Sequence, residues 1–160
     1  LLYSKDYAEA TIDKVWPKAD LAKAQRFDVY MLESCWWENQ NGKFVRHVFP
    51  LQAQVSPIQG IVSADVNADG FLDLVLAGNK YNFEVETNRC DSGNGSVLLG
   101  DGKGGFNWIN NNQHGFWAMY EARDLALLQN PAGKPIIMVS NKNSPLQVYQ
   151  LKNTPNLPAQ

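Results

Sequence analysis

The residues best equipped for chemistry sit in one short run: Asp65, Asn67, Asp69 and Asp73, with Gly70 and Phe71 among them. Counted from Asp65 they fall at positions 1, 3, 5 and 9, with Gly70 at 6. Calcium is a hard cation that takes about 6–8 oxygen ligands, and alternate positions of a tight loop turn their oxygens toward one point. A glycine at the bend supplies the sharp turn without steric cost. The predicted calcium set is therefore Asp65, Asn67, Asp69 and Asp73 through their side chains and Phe71 through its carbonyl. The bland alternative is a polar hairpin turn whose acids are incidental. Three aspartates and an asparagine at alternate positions around a glycine favour the ion. An EF-hand is excluded, because position 12 is Leu76 rather than a bidentate Glu. The flanking Ile61, Val62, Leu74 and Val75 are strand formers, so the loop is expected to join two strands.

A second group is a candidate ligand-binding or polar network: Tyr81, Glu84, Glu86, Arg89 and Asp91, all within a long polar loop over 78–95. Its alternative is a solvated loop held by Arg–carboxylate pairs. Trp108 and Trp117 flank the polar loop Asn110–His114 and are candidates to stack on sugar rings, with Trp36, Trp37 and Tyr81 as weaker ones. The alternative for all of these aromatics is packing. The sequence carries no Gly-x-Ser-x-Gly, P-loop, Cys-x-x-Cys or His-Glu-x-x-His pattern. Gly100, Gly102 and Gly104 lie between two expected strands, whereas a dinucleotide site needs a helix to follow its glycines. No catalytic residue is assigned, and the reading leans away from an enzyme.

The elements that must position these residues are read as mostly strands. Thr11 is expected to cap a short helix over 11–15, and Pro17 to open a second over 18–25. Strands are expected at 27–37, 44–49, 58–64, 72–77, 96–99, 106–109, 124–129, 135–140 and 146–151. The run Asn39-Gln-Asn-Gly42 reads as a hairpin turn and 100–105 as a tight turn. Short strands at close spacing predict an all-β sandwich, barrel or propeller. An internal echo favours repetition: Trp37-Glu-Asn-Gln-Asn-Gly-Lys-Phe44 parallels Leu99-Gly-Asp-Gly-Lys-Gly-Gly-Phe106. A weaker echo relates 65–79 to 124–141, and echoes about 60 residues apart fit a repeat architecture with a long loop inserted. The organisation expected is a helical segment over 1–26, a β-region over 27–152 and a loose tail over 153–160.

Composition sets the outer bounds. Apolar residues make up 44% of the 160, enough for a core, and the net charge of −2 argues against a nucleic-acid partner. No stretch is long and apolar enough to span a membrane. The opening Leu-Leu-Tyr-Ser shows no signal peptide and is read as the start of a mature product or a fragment. His47 and His114 lie in no metal-ligand spacing. Cys35 and Cys90 are either two free thiols or, in an oxidising compartment, one disulfide.

The run IVSADVNADGFLDLVLAGN resembles the FG-GAP or VCBS repeat of integrin-α-like β-propellers. The turns NQNGKF and LGDGKGGF are similar to the Asn/Gly–Gly–Phe elements of those repeats, and GNKYNFEVETNRCDSGNGSVLLGDGKGGF is the most specific part. About three quarters of the chain, from Phe27 to Leu151, resembles the C-terminal blades of bacterial surface VCBS-repeat proteins of the Bacteroidetes type. The resemblance implies an all-β, partial β-propeller: two to three blades of a seven-bladed whole, with a short N-terminal helical segment. It implies Ca2+ held structurally by Asp65, Asn67, Asp69, Phe71 and Asp73. The echo at 124–141 has Asn130-Pro-Ala-Gly-Lys where the acids would be, so no second calcium is expected. The partners implied are the remaining blades or another chain, with a glycan or surface protein as candidate ligand. The location implied is extracellular, cell-surface or periplasmic. The function expected is a binding module, with a surface polysaccharide-degrading enzyme or a structural subunit of an outer-membrane complex as alternatives.

Overall fold

A computed structural model describes residues 4–152, which leaves the tail expected at 153–160 outside the described residues. The chain divides into two units at Leu32. The first holds three single-turn helices, α1 (Ser4–Ala8), α2 (Ile12–Val15) and α3 (Lys18–Leu21), none of which buries a side chain. Thr11 is the N-cap of α2 as expected, although its hydroxyl makes no capping bond. The second expected helix stops at Leu21 instead of 25, and Pro17 is its N-cap rather than its first residue. Helices this short gain little from propensity and stop where no packing face supports them.

The strand expected over 27–37 needs correction. Residues 27–32 join no strand among the described residues, and Phe27, Tyr30 and Leu32 are more than four-fifths exposed. The strand β1 begins only at Cys35 and runs to Gln40, paired with β2 (Lys43–Val48). The turn is also tighter than the sequence reading allowed. Asn39 and Gln40 pair with Phe44 and Lys43, leaving Asn41 (φ 54°) and Gly42 (φ 90°) as the two turn residues. Positive φ at both central positions is the hairpin geometry that matches strand twist.

The second unit is all-β: among the described residues it has nine strands in three antiparallel sheets, and these form no closed barrel. After the β1–β2 hairpin and a 3-10 turn at Leu51–Ala53 comes a four-stranded sheet in sequence order. Its strands are β3 (Ile58–Ala64), β4 (Asp73–Gly78), β5 (Ser96–Gly100) and β6 (Phe106–Ile109). A helical turn, α4 (Asn111–His114), then leads to a three-stranded sheet. That sheet comprises β7 (Ala122–Gln129), β8 (Pro135–Asn141) and β9 (Gln147–Gln150). The polar loop expected over 110–116 therefore contains α4. Asn110 caps it by accepting the Asn112 N–H (2.9 Å), and Gly115 ends it at φ 73°.

The central strands of the four-stranded sheet, β4 and β5, are covered on both faces, whereas the outer face of β3 is exposed. Val62, Val75, Ala77 and Val97 pack against Leu125, Ile137 and Val139 of the three-stranded sheet. Leu74, Leu76, Leu98 and Phe106 on the other face pack with Trp36 of the hairpin and with Phe49 and Ala53. Sheets covered on both faces read as near-continuous apolar runs, which explains the unbroken Leu74-Val-Leu-Ala77. Aromatic edges close the hairpin contact, with Trp36 meeting Phe106 at 5.7 Å and Phe49 meeting it at 6.3 Å, both edge-to-face. No helix among the described residues is long and apolar enough to cross a membrane.

Candidate metal centre

The loop at 65–73 joins β3 to β4, as the flanking residues predict. Its two ends are anchored in the core: Asp65 is 3% exposed and Asp73 is fully buried. Buried carboxylates need hydrogen bonds, and the loop backbone supplies them. Asp65 accepts the Asp69 N–H on Oδ1 (3.1 Å) and the Gly70 N–H on Oδ2 (2.9 Å). Asp73 accepts the Val66 N–H on Oδ2 (2.8 Å) and the Gly100 N–H on Oδ1 (2.9 Å). Asp73 therefore ties the loop to the end of β5.

The outer residues of the loop bond to one another. Asn67 Oδ1 accepts the Asp69 N–H (3.0 Å), Asn67 Nδ2 donates to Asp69 Oδ2 (2.8 Å), and Asp69 Oδ1 accepts the Phe71 N–H (2.9 Å). Two residues take left-handed backbone: Gly70 at φ 90°, as the bend requires, and Ala68 at φ 64°. Alanine in that region costs about 1–2 kcal/mol, so the surrounding bonds hold it there. The Phe71 ring lies over Gly102, where a β-carbon would come within 2.2 Å of it, and so it joins this loop to the turn after β5.

The electrostatics are one-sided. Burial pushes the Asp73 carboxyl above the usual carboxylate range; the Gly100 and Val66 N–H bonds oppose this, and the negative charges of Asp69 and Asp65 add to it. Among the described residues no Lys or Arg forms an ion pair with Asp65, Asp69 or Asp73. In this arrangement no three acids close on a common point among the described residues. The donor set nevertheless suits a hard cation. Each carboxylate oxygen that accepts one N–H retains a second lone pair. Side-chain coordination would require Asn67 and Asp69 to exchange their mutual bond for the ion.

The second candidate group is distributed rather than convergent. Tyr81 Oη donates to the Met119 carbonyl (3.0 Å), and the Arg89 guanidinium sits 5.2 Å from the Tyr81 ring centre. Arg89 also pairs with Asp91 (2.6 Å), while Glu84 accepts from Thr87 (3.2 Å) and Glu86 is exposed. A backbone bridge between Lys80 and Cys90 closes the loop base. Trp108 packs against the core between the hairpin and the four-stranded sheet. Trp117 is 36% exposed, and its carbonyl accepts from Gln147 and from the Tyr149 hydroxyl. Cys35 and Cys90 are free, half-buried thiols.

The residue that sequence reading passed over is Asn79. It is 1% exposed at φ 87°, and its Oδ1 accepts from Ser56 Oγ (2.7 Å) and the Gly93 N–H (2.9 Å). Its Nδ2 faces the carbonyls of Gly93 (2.8 Å), Met119 (3.1 Å) and Tyr120 (3.2 Å). One side chain thus fixes both ends of the long loop and the segment before β7. The available signal was an Asn directly after Gly78 at a strand end, where left-handed backbone is common. Asn111 does similar work beside α4, donating to the carbonyls of Gly95 and Phe116, both at 2.9 Å. Compared with family models, curated proteins and solved structures, the chain finds no match in any of the three.

Proposed function

We propose that the second unit is a set of calcium-stabilised β-propeller blades of the FG-GAP/VCBS type, working outside the cytoplasm as a binding module. The observation that carries the reading is the β3–β4 loop. It buries Asp65 and Asp73 and adds Asp69 beside them, and no Lys or Arg among the described residues forms an ion pair with any of the three. The ion would be held by Asp65, Asn67, Asp69 and Asp73 with the Phe71 carbonyl. It would screen carboxylates that otherwise repel, and so stabilise the turn that joins two core strands. The chain's own groups hold the loop: the Asp65 and Asp73 backbone bonds set its two ends, and Gly70 sets its bend.

One feature of the fold supports blades. Three antiparallel sheets follow one another in sequence order, and each neighbouring pair shares a core. Extracellular calcium modules work with Kd on the order of 10⁻⁴–10⁻³ M, which suits a compartment rich in that ion. The binding role is tested with a glycan array probed in calcium and in chelator. A calcium-dependent glycan hit supports a carbohydrate-binding module. Absence of any glycan hit, with the fold intact in calcium, would turn the reading toward a structural partner.

A further inference from the structure

The two sheets that share the larger core meet closely along one side and splay along the other. On the close side, a β-carbon added to Gly60 of β3 would come within 2.6 Å of the Leu125 backbone nitrogen of β7. On the other side lie β6 and β9, each the outer strand of its sheet. Sheet twist carries such outer strands apart. A cleft of about 560 Å³ opens there between the sheets. Well-packed interiors hold few voids larger than a water molecule, whereas ligand pockets span about 300–1,000 Å³.

The cleft is apolar where it meets the core. Val75, Val97 and Ile137 line it and are at most 3% exposed. Leu99, Ile109 and Leu151 also line it; they pack on the same core yet stay only half-buried. Two further groups set the polarity of what would fit. One is His114, whose Nδ1 accepts the Phe116 N–H (3.0 Å), so the neutral ring carries its proton on Nε2. Burial lowers the pKa of this ring, against a weaker upward pull from the Ile109 carbonyl. Its Nε2 is buried and has no hydrogen-bond partner among the described residues, which leaves a donor in need of an acceptor. The other is Lys152, the one charged side chain among the described residues that line the cleft. It forms no ion pair among the described residues.

We propose that this cleft binds a small apolar carboxylic acid, whose hydrocarbon body covers the apolar walls and whose carboxylate answers His114 and Lys152. A carboxylate accepts from both an imidazole N–H and an ammonium group. A sugar would lose the hydration of its hydroxyls against valine, leucine and isoleucine. A plain hydrocarbon would leave both donors unmet. At about 30 Å³ per non-hydrogen atom, the cleft has room for roughly 15–20 of them, the size of a medium-chain or a two-ring aromatic acid. This site goes beyond the calcium-loop reading. The cleft borders that loop through Val66 and Asn67, but its ligand is held without the ion.

The test is isothermal titration calorimetry on the full chain with dodecanoate and with naphthoate, in calcium and again in chelator. At least one acid should bind saturably, at one per chain. Leu99→Trp fills the cleft and should weaken that acid at least roughly tenfold, with circular dichroism showing the sheets retained. If that variant fails to fold, Ile109→Trp fills the cleft from the neighbouring strand. Lys152→Met, a change at an exposed position, should weaken the acid by roughly three- to fivefold and leave the corresponding alcohol unchanged. Binding of neither acid in either buffer overturns the inference. Undiminished binding by the folded Trp variant overturns it too, as does an unaltered preference of Lys152→Met for acid over alcohol. Acid binding that persists in chelator stands whether or not the loop takes calcium, so the two readings fail separately.

Discussion

Replacing Asp69 with Ala isolates the contribution of the ion from that of the loop's own bonds. Without calcium, Asp69 accepts the Phe71 N–H and the Asn67 amide, both at an exposed position. Losing such water-replaceable bonds costs about 0.5 kcal/mol. With calcium, an ion that binds only the folded state stabilises it by RT ln(1 + [L]/Kd). At about 10 mM calcium and a Kd of about 10⁻⁴–10⁻³ M, this is about 1.4–2.7 kcal/mol. For a domain of this size each kcal/mol moves the melting temperature by about 2–4 °C. The unchanged chain should therefore melt about 3–11 °C higher in calcium than in chelator, and Asp69→Ala should lose most of that gain. In chelator the two proteins should melt within about 2 °C of each other. Differential scanning calorimetry in paired buffers measures all four values. Equal losses in calcium and in chelator, or no calcium-dependent shift in the unchanged chain, would refute the reasoning.

Other outcomes follow from the same geometry. The folded-state pKa of Asp73 is raised, so the folded chain holds that proton more tightly than the unfolded chain does. In chelator, stability should fall as pH rises from about 4 through the raised value and level off above it. Asp73→Asn should flatten that slope in melting curves taken across the window. Asn79→Ala leaves the buried Gly93 N–H without its acceptor and puts alanine at φ 87°, so urea titration should show a loss of about 2–4 kcal/mol. Gly60→Ala would bring a β-carbon within 2.6 Å of the Leu125 backbone nitrogen, where β3 runs against β7. The two sheets must part, and the same titration should show a loss of about 1–3 kcal/mol.

The sheet content was legible because burial leaves its mark on sequence. The run Ile136-Ile-Met-Val139 and the apolar β4 announced strands whose two faces both carry apolar residues. The β3–β4 loop was legible for a different reason: alternate acids around a glycine are a local pattern that needs no tertiary context. Residues 27–32 show the limit of that approach. Their composition is strand-like, but a strand exists only where a partner accepts its hydrogen bonds, and none of the described strands does. The α4 turn escaped notice because four residues are too few to display a helical period, although Asn110 and Gly115 were in place as its caps. Asn79 was hidden because its role depends on Met119 and Tyr120, 40 and 41 residues away. Neither spacing nor composition reports a contact of that range.

The account stands most directly on the count of calcium ions per chain, measured by equilibrium dialysis with radioactive calcium on metal-stripped protein. One ion should bind per chain at millimolar calcium, and Asp65→Ala should abolish it while circular dichroism shows the sheets retained. No bound ion at that concentration, or undiminished binding in the Asp65→Ala chain, would contradict the account.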